Sequence, residues 1–400
     1  MKKICFFMNT PFTFGGEQRV VSTLANYLQS ENYEVSFTLT SKNHQIDYEL
    51  YSLNKNIKIE FVYEYNSFKN KILRKIYKLI SKINTKTGLF SNNLRILKKF
   101  YCNKMDEKIL LKHFNSKKYD YIIGVASEFF GILAILKPQL KNSKIISWQH
   151  SCFNAYYKTP GRRFYNQDSF VKYVLNNTDY YITQTEDDKR LLKEIYSYKS
   201  ITINNPNSFA TNKKSSLTEK RFIAAGRFDF VKKFDRLIEA YYLFKEKNKN
   251  TQWKLYIFGD GDNYNECKKL IKKYNLQKEV YLPGKTNKMI DEYLKSSVYL
   301  MSSTWEGWGM VVTEAMETGL VTISFDLPCI REIFGDTKSG ILIEKFDIQK
   351  YAEAMDKIAN DEELLKKMSK EAIKRVKEFD ISIIGKHWKN LLNGDNENEN

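Results

Sequence analysis

The chain has 400 residues, 42% of them hydrophobic and 14% aromatic, and 65 Lys and Arg against 47 Asp and Glu give a net charge of +18. That length and apolar share exclude a disordered chain or one small core, and suit two domains of roughly 200 residues. No run of about 18 apolar residues occurs, so no spanning helix is expected, and the five cysteines at 5, 102, 152, 267 and 329 form no C-x-x-C pair. The scattered cysteines read as buried or idle thiols of a reducing compartment. The positive charge admits an anionic partner, whether nucleic acid, phosphorylated small molecule or anionic membrane, although part of any such excess is simply solvated surface.

The opening "MKKICFFMNTPF" imitates a signal peptide, but its apolar core is short and no small-residue cleavage site follows. It reads as a first strand, Ile4 to Met8, with "TPFTFGG" as the loop after it. "EQRVVSTLANYLQS" places Val20, Val21, Leu24, Tyr27 and Leu28 at helical spacing. "YEVSFTLT" is the next strand. A basic insertion over about 66–118 follows, and then "YDYIIGVAS", "KIISWQHS" and "DYYITQT" read as further strands. "ITINNPNSFATNKKSSLTEK" lacks apolar periodicity and is expected to link two domains. Beyond it the alternation restarts: "RFIAAGRF", "WKLYIFGD", "VYLPG", "SVYLMS" and "LVTISFD" as strands, with helical segments between them.

Two runs of alternating strand and helix predict two doubly wound, Rossmann-like α/β domains with mainly parallel sheets. The expected division is 1–207, a linker at 208–220, 221–393 with a last helix returning toward the first domain, and a disordered tail at 394–400. Ligands of such sheets bind at the carboxyl ends of the strands, so a cleft between the two domains is the expected site.

Four motifs at strand ends carry chemistry. "GRFDFVKKFDRLIEA" places Arg227, Lys232 and Lys233 at the start of a helix, where a guanidinium and an ammonium could hold a diphosphate. "FGDGD" and "LPG" follow the next two strands. The fourth, "STWEGWGMVVTEAMETG", reads as loop and helix, with Glu306 and Glu314 separated by seven residues and Gly307 and Gly309 between them. Glycines there allow close backbone approach or positive φ.

Together these motifs resemble family 4 of the retaining glycosyltransferases, whose GT-B fold has two Rossmann-like domains facing across a cleft; O-antigen and capsular polysaccharide enzymes of bacteria are the nearest likeness. The resemblance spans nearly the whole chain and is most specific over 222–319. It implies that Glu314 binds the ribose of a nucleotide-sugar donor and that Glu306 lies by the sugar and its leaving phosphate. It also implies that the backbone of Gly307, Trp308, Gly309 and Met310 meets sugar hydroxyls and phosphate, and that Arg227 and Lys232 hold the diphosphate. Gly15 and Gly16 match the family's first glycine loop, with Gln18-Arg19 where the family often has Glu-Arg. His150 stands at a strand end where related enzymes have a histidine near the transferred sugar; a lone histidine can equally be structural. Ser302 replaces the usual proline, a change expected to be harmless, and "LPCIREIF" departs from the family after "ISFD". Asp260-Gly261-Asp262 imitates the metal site of the other glycosyltransferase fold but reads as a strand-end turn, so no metal or other cofactor is expected.

The implied activity is retaining, metal-independent transfer of a hexose or N-acetylhexosamine, with UDP as the expected nucleotide. The implied acceptor is a growing, lipid-diphosphate-linked surface glycan, and the expected location is cytoplasmic and peripheral on the inner face of the bacterial membrane. A nucleotide-sugar epimerase or phosphorylase of the same fold is the alternative. A nucleic-acid-binding protein would need a recognition module, and none is seen. One stretch stands outside the resemblance. In "KNKILRKIYKLISKI", Ile72, Leu73, Ile76, Leu79, Ile80 and Ile83 share a helical face bordered by Lys71, Arg74, Lys75, Lys78 and Lys82, and no acidic residue occurs over 69–104. A stripe of this kind either packs into the core or docks on an anionic membrane surface.

Overall fold

The computed structural model describes residues 1–40, 45–62, 68–162 and 164–395, without the side chains of 68–70; most of the expected polar tail lies outside these residues. The chain forms two units, Met1–Pro206 with Ile381–Asn400, and Asn207–Asp380.

The first unit is built on a parallel sheet of β1 (Lys3–Met8), β2 (Glu34–Leu39), β3 (Lys58–Phe61), β4 (Tyr121–Val125), β5 (Lys144–Trp148), β6 (Tyr180–Thr183) and β7 (Ile201–Thr202). Their order in the sheet is β3-β2-β1-β4-β5-β6-β7. The central strands are apolar because helices cover both faces of such a sheet: Cys5, Phe7, Ile122 and Ile145 join Phe130 and Leu133 in one core. Connecting helices are α1 (Gly16–Ser30), α2 (Phe68–Thr87), α3 (Leu94–Tyr101), α4 (Lys104–Lys117), α5 (Ala126–Leu136), α6 (Asp168–Asn176) and α7 (Glu186–Tyr196).

The second unit has β8 (Arg221–Ala225), β9 (Lys254–Phe258), β10 (Val280–Gly284), β11 (Val298–Met301), β12 (Val321–Phe325) and β13 (Gly340–Ile343), all parallel, in the order β10-β9-β8-β11-β12-β13. Between and after them run α8 (Phe234–Lys247), α9 (Tyr264–Lys273), α10 (Met289–Leu294), α11 (Met310–Glu317), α12 (Pro328–Phe334), α13 (Ile348–Ala359) and α14 (Glu362–Val376). Strand order reverses between β8 and β11, which makes the gap beyond their carboxyl ends the topological switch point of this sheet.

Two expectations about boundaries need correction. The segment taken as linker begins with β7, the edge strand of the first sheet, and the chain changes unit after Pro206. Residues 221–393 are not one domain: α15 (Ile381–Asn393) belongs to the first unit, where Gly385 lies tight against the Tyr27 ring of α1 and Trp388 packs on Trp148. Its apolar face needs that cover. The backbone enters and leaves the second unit at one place, where Asn207 N–H donates to the Phe379 carbonyl at 2.7 Å.

Candidate functional site

In the second unit the switch point gathers the first and fourth motifs. After β8, Gly226 extends its N–H to the Phe258 carbonyl (3.0 Å), and the turn is closed by Asp229, whose Oδ1 accepts from the Val231 and Lys232 N–H groups at 2.9 and 3.0 Å. This turn delivers Lys232 beside the start of α8. Its Nζ lies 2.6 Å from Glu306 Oε1, to which the Ser303 hydroxyl also donates at 2.6 Å. Two further bonds join the β8 loop to the β11 loop: Thr304 N–H to the Val231 carbonyl (2.7 Å) and the Ser302 hydroxyl to the Lys232 carbonyl (2.7 Å). The serine at 302 therefore makes a bond that a proline could not. It pins the residue that carries the ammonium. Arg227 is exposed, and among the described residues its guanidinium pairs with no carboxylate.

Past Glu306 and Gly307 the chain turns into α11. Gly309 is the residue before the helix and takes φ 95°, a left-handed conformation that a Cβ would strain, and that Cβ would also press on Ile330. Among the described residues no side chain caps this end or the start of α8, so apart from Arg236 and Val312, whose N–H groups reach the Lys233 and Gly309 carbonyls, both helices have first-turn N–H groups open at the switch point. Trp308 has a buried ring, edge-on to Phe379 at 5.2 Å, which leaves its backbone as the part available to a ligand. Met310 opens the helix and Glu314 sits one turn further along, only 4% exposed. Its Oε1 accepts from the Ser208 hydroxyl at 2.5 Å and its Oε2 from Tyr293 at 3.3 Å. The Tyr299 hydroxyl, bonded to the Ala225 backbone, is held protonated well above the usual tyrosine range, first by burial and then by the fields of Glu306 and Glu314. Both glutamates of the spaced pair thus lie near one strand end.

Ser208 and Tyr293 had no sequence signal, since nothing in their neighbourhoods marks them. The imitation metal motif has a packing explanation. Gly259 and Gly261 take φ 133° and 152°, and a Cβ on either would collide with the carbonyl oxygen of Gly226 or Phe228. The "FGDGD" turn is therefore pressed backbone to backbone on the β8 loop. Asp260 pairs with Lys285 at 2.9 Å, and that pairing holds its carboxyl below the ordinary range. Among the described residues no group of three His, Cys, Asp or Glu gathers as a metal ion would need.

In the first unit, Gly15 and Gly16 end the β1 loop at the start of α1. Gly15 is extended at φ 171°, so its backbone does not demand glycine; the Gln18 amide folds against it, where a Cβ would clash with Oε1. That gives Gln18 a place, if a local one. The Tyr51 hydroxyl accepts from Gly15 N–H at 2.9 Å and fixes the loop. Glu17, which carried no sequence signal, has its carboxyl pushed up to about 7 by burial. His150 follows β5, its ring 4.3 Å from that of Trp148 and tilted against it by 51°. Gln184 Nε2 contacts both its Nδ1 (3.3 Å) and Asn205 Oδ1 (3.1 Å), an arrangement in which the amide donates to both. The proton then resides on His150 Nε2, which is buried and, among the described residues, has no hydrogen-bond partner. Burial pushes the imidazole down to about 3, so it acts as a neutral donor and not as a cation.

Comparison with known proteins agrees with this geometry. Residues 207–375 match the family model described as glycosyl transferases group 1. An uncharacterized glycosyltransferase of Haemophilus influenzae is 27% identical over 98% of this chain and 100% of its own length. The amylovoran biosynthesis glycosyltransferase AmsD of Erwinia amylovora is 23% identical over the same shares. Among solved structures, a mutant of Staphylococcus aureus TarM in complex with fondaparinux, alpha-GlcNAc-glycerol and UDP superposes with a TM-score of 0.75 at 17% identity, over 98% of this chain and 100% of that one. With its two parallel Rossmann-like sheets the protein has the GT-B fold, and its second unit carries the match to glycosyl transferases group 1.

Proposed function

We propose that the protein is a retaining, metal-independent glycosyltransferase of family 4 that moves a hexose or N-acetylhexosamine from a UDP-sugar to a hydroxyl of a growing, lipid-diphosphate-linked glycan. The observation that carries this reading is the Lys232 ammonium, fixed between Glu306 and the head of α8 at the switch point. A cation there, with Arg227 exposed nearby in sequence and two uncapped helix starts, suits a diphosphate more than any neutral ligand. Glu314, already an acceptor for two hydroxyl donors, suits a ribose diol. The AmsD likeness, and the UDP in the TarM structure, support the polysaccharide and UDP parts of the reading.

In the proposed step, the bond between the sugar C1 and the leaving phosphate oxygen breaks as the acceptor oxygen bonds C1 on the same face. The acceptor's proton passes to the departing phosphate, and Lys232, Arg227 and the N–H groups of α8 and α11 stabilise the charge that develops on it. His150 Nε2–H and the Gly15–Gly16 loop are the groups through which the first unit would meet a sugar hydroxyl. The test is a melting-temperature screen of nucleoside diphosphates and their sugars, followed by NMR of the product anomer. A shift with UDP and a product of unchanged anomeric configuration are expected. An inverted anomer, or an epimer formed from UDP-sugar without acceptor, would replace this reading with another on the same fold.

A further inference from the structure

Helix α2 is mounted the wrong way round for a core helix. Its attachments to the first unit are polar: Arg74 makes a bidentate pair with Asp106, a carboxylate with a 1% exposed side chain, and the fully buried Asn84 donates to the Asn166 carbonyl (3.3 Å) and accepts from Phe90 N–H (2.7 Å). The apolar stripe faces solvent, with Ile72, Leu73, Ile76, Leu79 and Ile83 exposed and Ile80 half-buried, and Leu89, two residues past the helix, is exposed as well. Leu79 is 63% exposed and Leu89 70%. Lys71, Lys75, Lys78, Lys82 and Lys86 are exposed along the same side of the stripe. Of the two readings the sequence leaves open for this stripe, packing into the core is the one its exposure rules out.

Scattered exposed aliphatics are ordinary, but a continuous ridge marks a surface that something covers. Its surroundings say what. Eleven Lys or Arg and no Asp or Glu occur over 69–104. A second copy would bring two such fields together, and a soluble polyanion would leave the aliphatic ridge in water. An anionic bilayer satisfies both parts, with acyl chains for the ridge and headgroup phosphates for the lysines. We propose that α2 lies in the interface of an anionic membrane, with Ile76, Leu79 and Ile83 inserted and Lys71, Lys75, Lys78 and Lys82 against the headgroups. This reading stands apart from the donor chemistry, because the readout needs no sugar.

The test is co-sedimentation of the full chain with phosphatidylcholine vesicles, and with vesicles that also contain phosphatidylglycerol, at low and high salt. Binding is expected with phosphatidylglycerol alone, reversible and falling steeply as salt rises. Lys75→Gln, Lys78→Gln and Lys82→Gln should each reduce partitioning by about fivefold. Ile76→Ser with Leu79→Ser should reduce it further while lowering the melting temperature by only a few degrees, since about half of each side chain is already in water. Equal pelleting with both vesicle types, pelleting with neither, or a dimer in the absence of vesicles that Leu79→Ser dissolves would each overturn the proposal.

Discussion

Replacing Lys232 by methionine separates two roles that one side chain carries. In the fold it neutralises Glu306 across 2.6 Å, with side-chain exposures of 20% and 16%. Breaking a fully buried pair costs about 3–5 kcal/mol and an exposed one about 0–1, so this partly covered pair is worth roughly 2 kcal/mol. For a unit of this size that lowers melting by about 4–8 °C. On the proposed function Lys232 would also face charge that grows only as the diphosphate leaves, and losing such a group costs about 2–4 kcal/mol, or roughly 30- to 900-fold in turnover. The double variant Lys232→Met with Glu306→Gln removes both charges, so most of the stability returns while turnover stays low. Calorimetry and steady-state kinetics on the single and double variants read the two quantities separately. If turnover returned together with stability, Lys232 would serve only to hold Glu306, and the diphosphate reading would be wrong.

Glu314→Gln should weaken binding of UDP by about 1.5–3 kcal/mol in titration calorimetry, because a ribose contact exists before the reaction begins; unchanged affinity for UDP and GDP would move the ribose site elsewhere. Transfer should survive excess EDTA, since fixed cations serve the diphosphate; loss of activity restored by Mn²⁺ would make Asp260 and Asp262 ligands after all. Glu17 has a folded pKa of about 7 against 4.5 for the free side chain. A carboxyl raised on folding contributes its stability in full below 4.5 and loses it as pH rises through 7, by ~2–3 kcal/mol once partial exposure is allowed for. Melting followed from pH 4 to 8 should show that decline in the native chain and not in Glu17→Gln; parallel curves would refute the buried carboxyl.

The strands that were legible in the sequence are those buried on both faces, such as β1, β4 and β12, whose apolar runs announce them. The three that were missed, β3, β7 and β13, are sheet edges with half-exposed residues; β3 and β7 carry no such run, and β13 has only the three aliphatics Ile341, Leu342 and Ile343. At the site, Glu306 and Glu314 could be read because their spacing is local. Ser208 and Tyr293 could not, because they reach Glu314 from 106 and 21 residues away. The bond Ser302 makes was not legible, since its partner is a backbone carbonyl that sequence does not mark. The α2 stripe shows the limit of periodicity: a core helix and an interfacial one share the same pattern, and only the burial of Asn84 beside the exposure of Leu79 tells them apart.

The bond between Asn207 and Phe379 has a consequence for how such an enzyme can change. Because the chain goes into the second unit and comes out of it side by side, residues 207–380 form a cassette bounded by two adjacent cuts, set inside a host that closes with its own last helix. A recombination event, or an engineer, can exchange that cassette whole. The host would keep its first sheet and α15 while receiving a different second unit; on the proposed function, that exchange would change the donor and leave the acceptor side in place.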